Sequence, residues 1–484
     1  MLSTHLPQER RTNEERARVG SALFFVPRAE ITRALMPIAL LLCLPGGALA
    51  EDEPVGDETS EKGHTFGVEI RSHFRDSDAV RFPSPFPFPP QALPPGQTRG
   101  FLETPEAGET FEVSTATVFY RGNWGDEGQW SAKAKVDLID KHNRNPTSED
   151  NEWDVDELWL RFGTEPLPGD VHEGMSGYAK LGKFPKFERQ DDRHLESYGL
   201  ISTSFNRAED VGLETGFDFG KILYLRMSYT QGNPVFYRDP NALAGDHGTS
   251  VHNGSVTNPV PEYGSGFPIL YDADVEDLDF ANPEVGLGVG ARFGGESWNL
   301  DLLAFGYRRD LADTIEFEGT FYGGDLDILL GPANLFPLSP LTSRQKEEIG
   351  LTAWLYAGSF TFFGQYVEQD LGGLLRDGYE VEVAWDFELP WVWTLFGRQV
   401  FPYVAPAVRY SEIDPQFDTH PFFPAPSVKW DWTKMDYGVR LGLLEGIADL
   451  TVEYADNEFV RAGRKESADE FLATLRIMWD TRGR

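Results

Sequence analysis

The chain has 484 residues, with 43 Lys and Arg against 78 Asp and Glu, and a formal charge of −35 at neutral pH. A surface this acidic argues against nucleic acid as a partner and against attraction to anionic lipid headgroups. No segment approaches eighteen uninterrupted apolar residues, which excludes a helical membrane span. A mean hydropathy of −0.38 still suits a membrane β-barrel, where one side chain in two meets lipid.

Residues 1–50 read as a signal peptide. Arg28 and Arg33 precede an apolar run at 34–44, Pro37 interrupts it, Pro45 ends it, and Ala48-Leu49-Ala50 supplies a small-x-small cleavage pattern. The basic stretch is long for a signal, which points to a true start downstream of Met1. The only cysteine, Cys43, lies inside this segment, so the mature chain would hold no disulfide and no cysteine metal site. Removing residues 1–50 takes away six Arg and four Glu and leaves −37. Residues 51–63 form an acidic, turn-rich leader expected to be flexible.

From residue 64 the pattern has period two. Phe66, Val68, Ile70 and Phe74 alternate with Glu69, Arg71 and His73. Residues 81–100 interleave phenylalanine with proline, which donates nothing to a ladder, so a long loop is expected, its rings packed on each other or over a barrel mouth. Segments 111–121 and 129–140 form the next pair; in the second, Trp130, Ala132, Ala134, Val136 and Leu138 oppose Ser131, Lys133, Lys135 and Asp137. In 155–163, Leu158, Leu160 and Phe162 oppose Glu157, Trp159 and Arg161, and 177–184 is the fifth strand. Alternation breaks over 185–209 and resumes in 210–219 and 222–230.

Residues 231–284 are a long loop ending in the acidic run Asp272, Asp274, Glu276, Asp277 and Asp279. The run lacks the central glycine of an EF-hand, so a solvated loop is expected rather than a calcium site. Segments 285–293, 298–307, 349–357, 360–368 and 379–388 continue the alternation, with a second long loop at 308–348 that holds a hairpin of its own around 314–330. Residues 400–411 are a weaker strand, because they carry Pro402 and Pro406. The clearest unit is the last: Met435, Tyr437, Val439 and Leu441, then Ala448, Leu450, Val452 and Tyr454, then Phe471, Ala473, Leu475, Ile477 and Trp479, each alternating with polar or small residues. A polar loop with Asn457, Arg461, Arg464, Lys465 and Asp469 is expected between the last two.

Segments of roughly ten residues, split by alternately short and long connections, are the signature of a transmembrane β-barrel. A soluble sandwich also alternates, but its strands peak at about five or six residues. The expected fold class is therefore all-β: a transmembrane antiparallel barrel of about sixteen strands over residues 64–484, the size class of porins with an aqueous channel. The count becomes eighteen if the 314–330 hairpin also spans.

The 185–209 break holds Lys186, Arg189, Arg193 and Arg207 among Glu188, Asp191, Asp192, Glu196 and Glu209, and falls in the third outer loop. Such a loop either folds inward, where charged rings select ions, or stands exposed with its charges compensated. Leu181-Gly182-Lys183-Phe184, Glu188-Arg189, and Arg207 with Asp210, Val211 and Gly212 resemble the phosphate-selective porin family of Gram-negative bacteria. The resemblance covers about thirty residues and implies a sixteen-stranded outer-membrane barrel, often a homotrimer, whose third loop constricts the channel. That family's anion selectivity relies on clustered arginine and lysine, whereas Lys183, Lys186, Arg189, Arg193 and Arg207 here face six acidic residues up to Asp210. The architecture is carried over and the phosphate specificity is not. A weaker similarity to alginate-export barrels lies around Glu157-Leu158-Trp159 and Pro168-Gly169-Asp170, which would imply a conduit for an acidic polysaccharide.

A hydrolase would need a nucleophile with a placed base. Gly264-Ser265-Gly266 lacks the strand–turn–helix setting of a nucleophile elbow. His247 and His252 share a loop with no third metal ligand in view, and Glu380 and Glu382 read as lumen-facing carboxylates in water. The expectation is a passive diffusion channel for small hydrophilic solutes or ions in an outer membrane, with lipid around it, no cofactor, no metal and no catalysis. Arg161, Lys183, Lys186, Arg189, Asp191, Asp192, Arg193 and Arg207 are the expected pore lining and constriction. Net charge predicts weak cation preference or little preference.

Overall fold

The computed structural model describes residues 63–78, 81–83, 101–103, 108–125, 129–140, 153–166, 168, 174–190, 192–205, 209–232, 282–295, 297–310, 345–371, 373–391, 393–416, 431–461 and 464–481. The signal peptide, the acidic leader, most of the proline-rich loop, the acidic run at 272–279, His247 and His252, and the 314–330 hairpin lie outside these residues. So do Asp191 and Arg207.

The strands are β1 (Gly63–Ser77), β2 (Arg81–Pro83), β3 (Phe101–Glu103), β4 (Gly108–Trp124), β5 (Trp130–Asp140), β6 (Asp154–Gly163), β7 (Met175–Pro185), β8 (Glu209–Phe219), β9 (Leu223–Thr230), β10 (Glu284–Gly294) and β11 (Trp298–Asp310). They continue as β12 (Gln345–Ala357), β13 (Phe360–Leu371), β14 (Leu374–Trp385), β15 (Phe387–Glu388), β16 (Thr394–Leu395), β17 (Arg398–Gln399), β18 (Tyr403–Pro415), β19 (Asp431–Leu444), β20 (Ala448–Arg461) and β21 (Arg464–Asp480). One short helix, α1 (Leu200–Ser204), interrupts the connection from β7 to β8.

Every wall strand pairs antiparallel with its sequence neighbour, and β1 pairs with both β4 and β21, so the sheet closes on itself. Closure leaves no edge with unsatisfied N–H and C=O groups, the condition for crossing hydrocarbon with strands. The closed sheet has seventeen segments but sixteen strands, because β15 continues β14. Ala384 faces Ala407 and Phe387 faces Val404, so the register runs on unbroken and Trp385 falls opposite Pro406. Pro406 has no N–H to give there, and the ladder skips. β11 pairs directly with β12, so the wall closes with sixteen strands and not eighteen.

The wall alternates as lipid and lumen require. On β10, Val285, Leu287 and Val289 are exposed, while Glu284 and Arg292 are buried. Leu158, Leu160 and Phe162 on β6, and Tyr437 and Val439 on β19, extend the apolar outer belt. Aromatic side chains crowd its short-turn end: Phe66, Trp130, Phe219, Trp298, Trp385 and Trp479 are all exposed there. Closed wall, apolar belt and aromatic girdle together make this a transmembrane barrel of the outer-membrane kind.

Two boundaries differ from the sequence reading. β20 and β21 run to Arg461 and from Arg464, so Asn457, Arg461, Arg464, Lys465 and Asp469 belong to a paired hairpin and not to a loop. Beyond the apolar belt both faces of a hairpin can be polar, so alternation fades while pairing persists. β2 and β3 likewise pair across the start and end of the proline-rich segment.

Candidate functional site

The connection from β7 to β8 folds into the barrel and seats on its inner wall. Phe184 is buried at the entrance, and the Lys186 ammonium lies 2.5 Å from Glu284 on β10 and 4.4 Å from the centre of the Tyr307 ring. Phe187 stacks on Tyr307, whose hydroxyl donates to Glu188 at 2.5 Å. Gln365 on β13 donates to the Glu188 carbonyl at 3.0 Å, and Gln190 donates to Glu382 on β14 at 3.2 Å.

Further along, Glu453 on β20 accepts from the backbone N–H of Glu196 and from the N–H and hydroxyl of Ser197. Arg409 on β18 donates to the Ser197 carbonyl at 2.9 Å and hydroxyl at 2.7 Å, and is itself held by Asp436. Lys434 on β19 donates to the Tyr198 carbonyl at 2.6 Å. Helix α1 is anchored through Leu200 N–H to Ser411 and Ile201 N–H to Glu380. Every one of these wall residues is buried. The loop therefore meets a wall whose polar groups pair with its own backbone, which offsets their desolvation.

Apolar contacts complete the seat. Leu195, Leu200, Ile201 and Phe205 are at most 1% exposed, and each such side chain contributes about 1.5–3 kcal/mol on burial. Leu195 packs against Ala384 and Ala407. Small wall residues make the approach possible: a Cβ on Gly438 would run into Leu195, and one on Gly199 of the loop into Glu380.

His194 is a polar clamp that the sequence reading passed over. Its backbone N–H donates to Glu382 at 3.0 Å, its Nδ1 lies 3.3 Å from the same carboxylate, and its Nε2 lies 3.4 Å from Asp386 and 3.3 Å from the Thr361 hydroxyl. Burial pulls the imidazole pKa down, but the hydrogen bonds to Asp386 and Glu382 outweigh it and raise it to about 9. Thr361, His194 and Asp386 superficially resemble a nucleophile, base and orienter. A histidine already protonated at neutral pH cannot take the threonine proton, so the trio does not form an activated nucleophile. His64 pairs with Tyr120 and His73 with Glu112. Glu380 and Glu382 stand under the loop and are not bathed in water as the sequence reading had them.

The structure scatters the expected site residues. Lys186 and Arg189 lie in the loop, Arg189 paired with Glu209. Asp192 accepts from Tyr356 at 2.7 Å, and the Arg193 guanidinium covers the Tyr198 ring at 3.4 Å. Arg161 stands apart, near the short-turn end of β6, paired with Glu165 at 3.0 Å. Lys183 faces Leu158 and Val211 in register, on the outward parity of its strand, while Lys180 is the buried interior lysine, 2.8 Å from Glu165 and 3.2 Å from Glu214.

The loop leaves one arc of wall uncovered. There Glu69 holds Arg71 at 2.7 Å and Arg476 at 2.9 Å, and Glu196 of the loop reaches Arg71 at 3.1 Å and Arg440 at 3.3 Å. Burial pushes the Glu196 carboxyl up, yet Arg71 and Arg440 hold it below the usual carboxylate range. Lys133 pairs with Glu157 at 2.7 Å and Lys135 with Asp156. In these pairs the cation is the more exposed partner: Arg71 25% against Glu69 11%, and Lys135 31% against Asp156 15%. Strand parity had assigned Lys133 and Lys135 to the polar face; Arg440 and Arg476 also follow from it. Asp156, Glu157 and Glu209 bring carboxylate oxygens within 4.8 Å of one another, but each is neutralised by Lys135, Lys133 or Arg189, which does not fit a metal ligand set.

No family model matches this chain, and no curated protein matches it. Among solved structures it is similar to the outer membrane channel DcaP of Acinetobacter baumannii, with 8% identity over 87% of this chain and 100% of that one, at a TM-score of 0.47. It is also similar to OprB of Pseudomonas putida, with 9% identity over 88% and 94% at 0.45. In-vitro folded OmpT, an outer membrane protein of Vibrio cholerae, matches with 12% identity over 88% and 99% at 0.44.

Proposed function

We propose that the barrel is a passive diffusion channel for small hydrophilic solutes, that the inward-seated 186–205 loop sets its narrowest section, and that the passage favours anions. The observation that carries this reading is the open arc of wall, where Arg71, Arg476, Lys133 and Lys135 keep 23–31% of their side-chain surface while the carboxylates they pair with keep 15% or less. Fixed positive charge beside a narrow passage raises the local concentration of anions and excludes cations. The chain's acidity does not count against this, because much of it lies elsewhere in the sequence: residues 233–281 alone hold eight acidic residues and one basic. This replaces the cation preference expected from net charge.

The same arc supports a second reading, a conduit for an acidic polysaccharide. Swelling of liposomes that carry the refolded barrel separates the two and tests both. Entry of small neutral and anionic sugars, faster for the anion at equal size, is the expected outcome for a diffusion channel. Exclusion of all small solutes, with current blocked by an acidic oligosaccharide, favours the conduit. Solute-tight liposomes with no such block overturn both.

A further inference from the structure

Where β8–β9, β10–β11, β12–β13 and β19–β20 turn within two or three residues, β14–β15 and β18 are joined by residues 389–402, which carry a hairpin of their own, β16 paired with β17. The outward stripe of this strand does not stop at the membrane edge. Tyr379, Val381, Val383, Trp385 and Phe387 are followed at the same period by Leu389, Trp391, Trp393 and Leu395. The extension is exposed: Trp391 and Leu395 at 50%, Trp393 at 69% and Phe396 at 90%. It is also braced. Val400 bridges to Leu444, Arg398 donates to the Glu445 carbonyl at 2.9 Å, Leu389 N–H donates to the Pro402 carbonyl, and Val400 N–H to the Trp393 carbonyl.

The tip is a two-residue turn with both residues left-handed, Phe396 at φ 53° and Gly397 at φ 81°. Asn or Gly would sit at the first position with less strain than phenylalanine. A bulky ring is thus held, against backbone preference, on a braced hairpin whose one charged side chain is Arg398. Residues 389–402 contain no acidic residue and one arginine, in a chain with 78 acidic residues. Continuity with the lipid-facing stripe, tryptophan content and the missing acids all favour one occupant, the headgroup boundary of a bilayer, where tryptophan rings and an arginine beside phosphates are both stable.

We propose that residues 389–402 are an interfacial anchor, lying along the lipid headgroup boundary at the short-turn end of the barrel and fixing its depth and tilt. The chain from residue 51 onward contains no cysteine, so a single nitroxide can be placed at Phe396→Cys, with Leu395→Cys as a second site should the first fail to fold. Lys221→Cys, in the exposed turn between β8 and β9 at the same end, serves as the reference. In phosphatidylcholine–phosphatidylglycerol vesicles, the ratio of oxygen to nickel-chelate collision rates should be several-fold higher at 396 than at 221. Equal, water-like ratios at 395 and 396 overturn the proposal. Spin–spin broadening that disappears on dilution with unlabelled barrel also overturns it, by assigning the hairpin to a second copy of the chain.

Discussion

From β8 to β12, Arg226 and Arg292 close on Asp218, Arg292 also meets Asp301 at 2.9 Å, Lys346 meets Glu284 at 2.7 Å, and none of these side chains is more than 6% exposed. Across the lumen, from β21 through β1 to β6, the same residue types make the same kinds of pair, yet Arg71, Arg476 and Lys135 keep about a quarter of their surface or more. Pair chemistry is similar in the two arcs; access differs. In the sealed arc the charges have exchanged water for each other, so they serve the wall and can meet no solute. In the open arc the attraction is screened and the cations remain available. Counting ion pairs would not distinguish them. What separates the arcs is cover: Lys186 of the loop closes over Glu284, and the Tyr178 and Tyr224 rings lie against Arg226 and Arg292, whereas the loop reaches the open arc through Glu196 and leaves its cations partly exposed.

The sharpest way to break this contrast is to remove one carboxylate from each arc. Glu284→Ala strands Lys186 and Lys346 in a sealed setting and should cost about 3–5 kcal/mol, read as a large drop in the thermal unfolding temperature in detergent. Glu69→Ala leaves Arg71 and Arg476 able to reach water and should cost about 0–1 kcal/mol by the same measurement. Equal losses would mean that the two arcs are not different environments.

Selectivity should divide the same way. Arg71→Glu combined with Lys135→Glu should move the reversal potential in a salt gradient toward cations, whereas Arg292→Gln should lower stability and leave it unchanged. A shift from Arg292→Gln would place the passage on the wrong side of the loop. Loosening the loop should blur the contrast: Glu453→Ala removes the acceptor for three donors at Glu196 and Ser197 and should raise single-channel conductance and expose the loop to protease. Unchanged conductance would remove the loop from the narrowest section.

A smaller effect comes from pH. The folded pKa of His194, about 9, lies above its ordinary 6.5, so the clamp's contribution is fully present below pH 6.5 and is lost as pH rises through 9. Current noise from loop motion should therefore grow above pH 9, and His194→Gln should abolish that dependence; pH-independent noise in the parent barrel would exclude the clamp.

Much of the wall was legible because membrane spanning forces a strict period: Val285, Leu287 and Val289 have to face lipid, so Glu284 and Arg292 have to face in. The register around Pro406 and the polar ends of β20 and β21 were less legible, since outside the apolar belt nothing forces alternation. The loop was harder still. Its charged residues drew attention, but the seat is made by Leu195, Gly199, Leu200 and Ile201 against Ala384, Ala407 and Gly438, small and apolar residues that advertise nothing singly. Lys183 reads as lumen-lining along with its motif; parity forbids Lys180 and Lys183 from sharing a face, and the outward Leu158 opposite Lys183 decides between them. Net charge is a weak guide to selectivity for a related reason, since a sum over the chain cannot say which charges border the passage.

The most direct measurement is the single-channel reversal potential of the unmodified barrel across a salt gradient. A potential of the sign produced by anions carrying more of the current than cations is what the uncovered basic arc predicts. A potential of cation sign, persisting after Arg71 and Lys135 are reversed in charge, would contradict it.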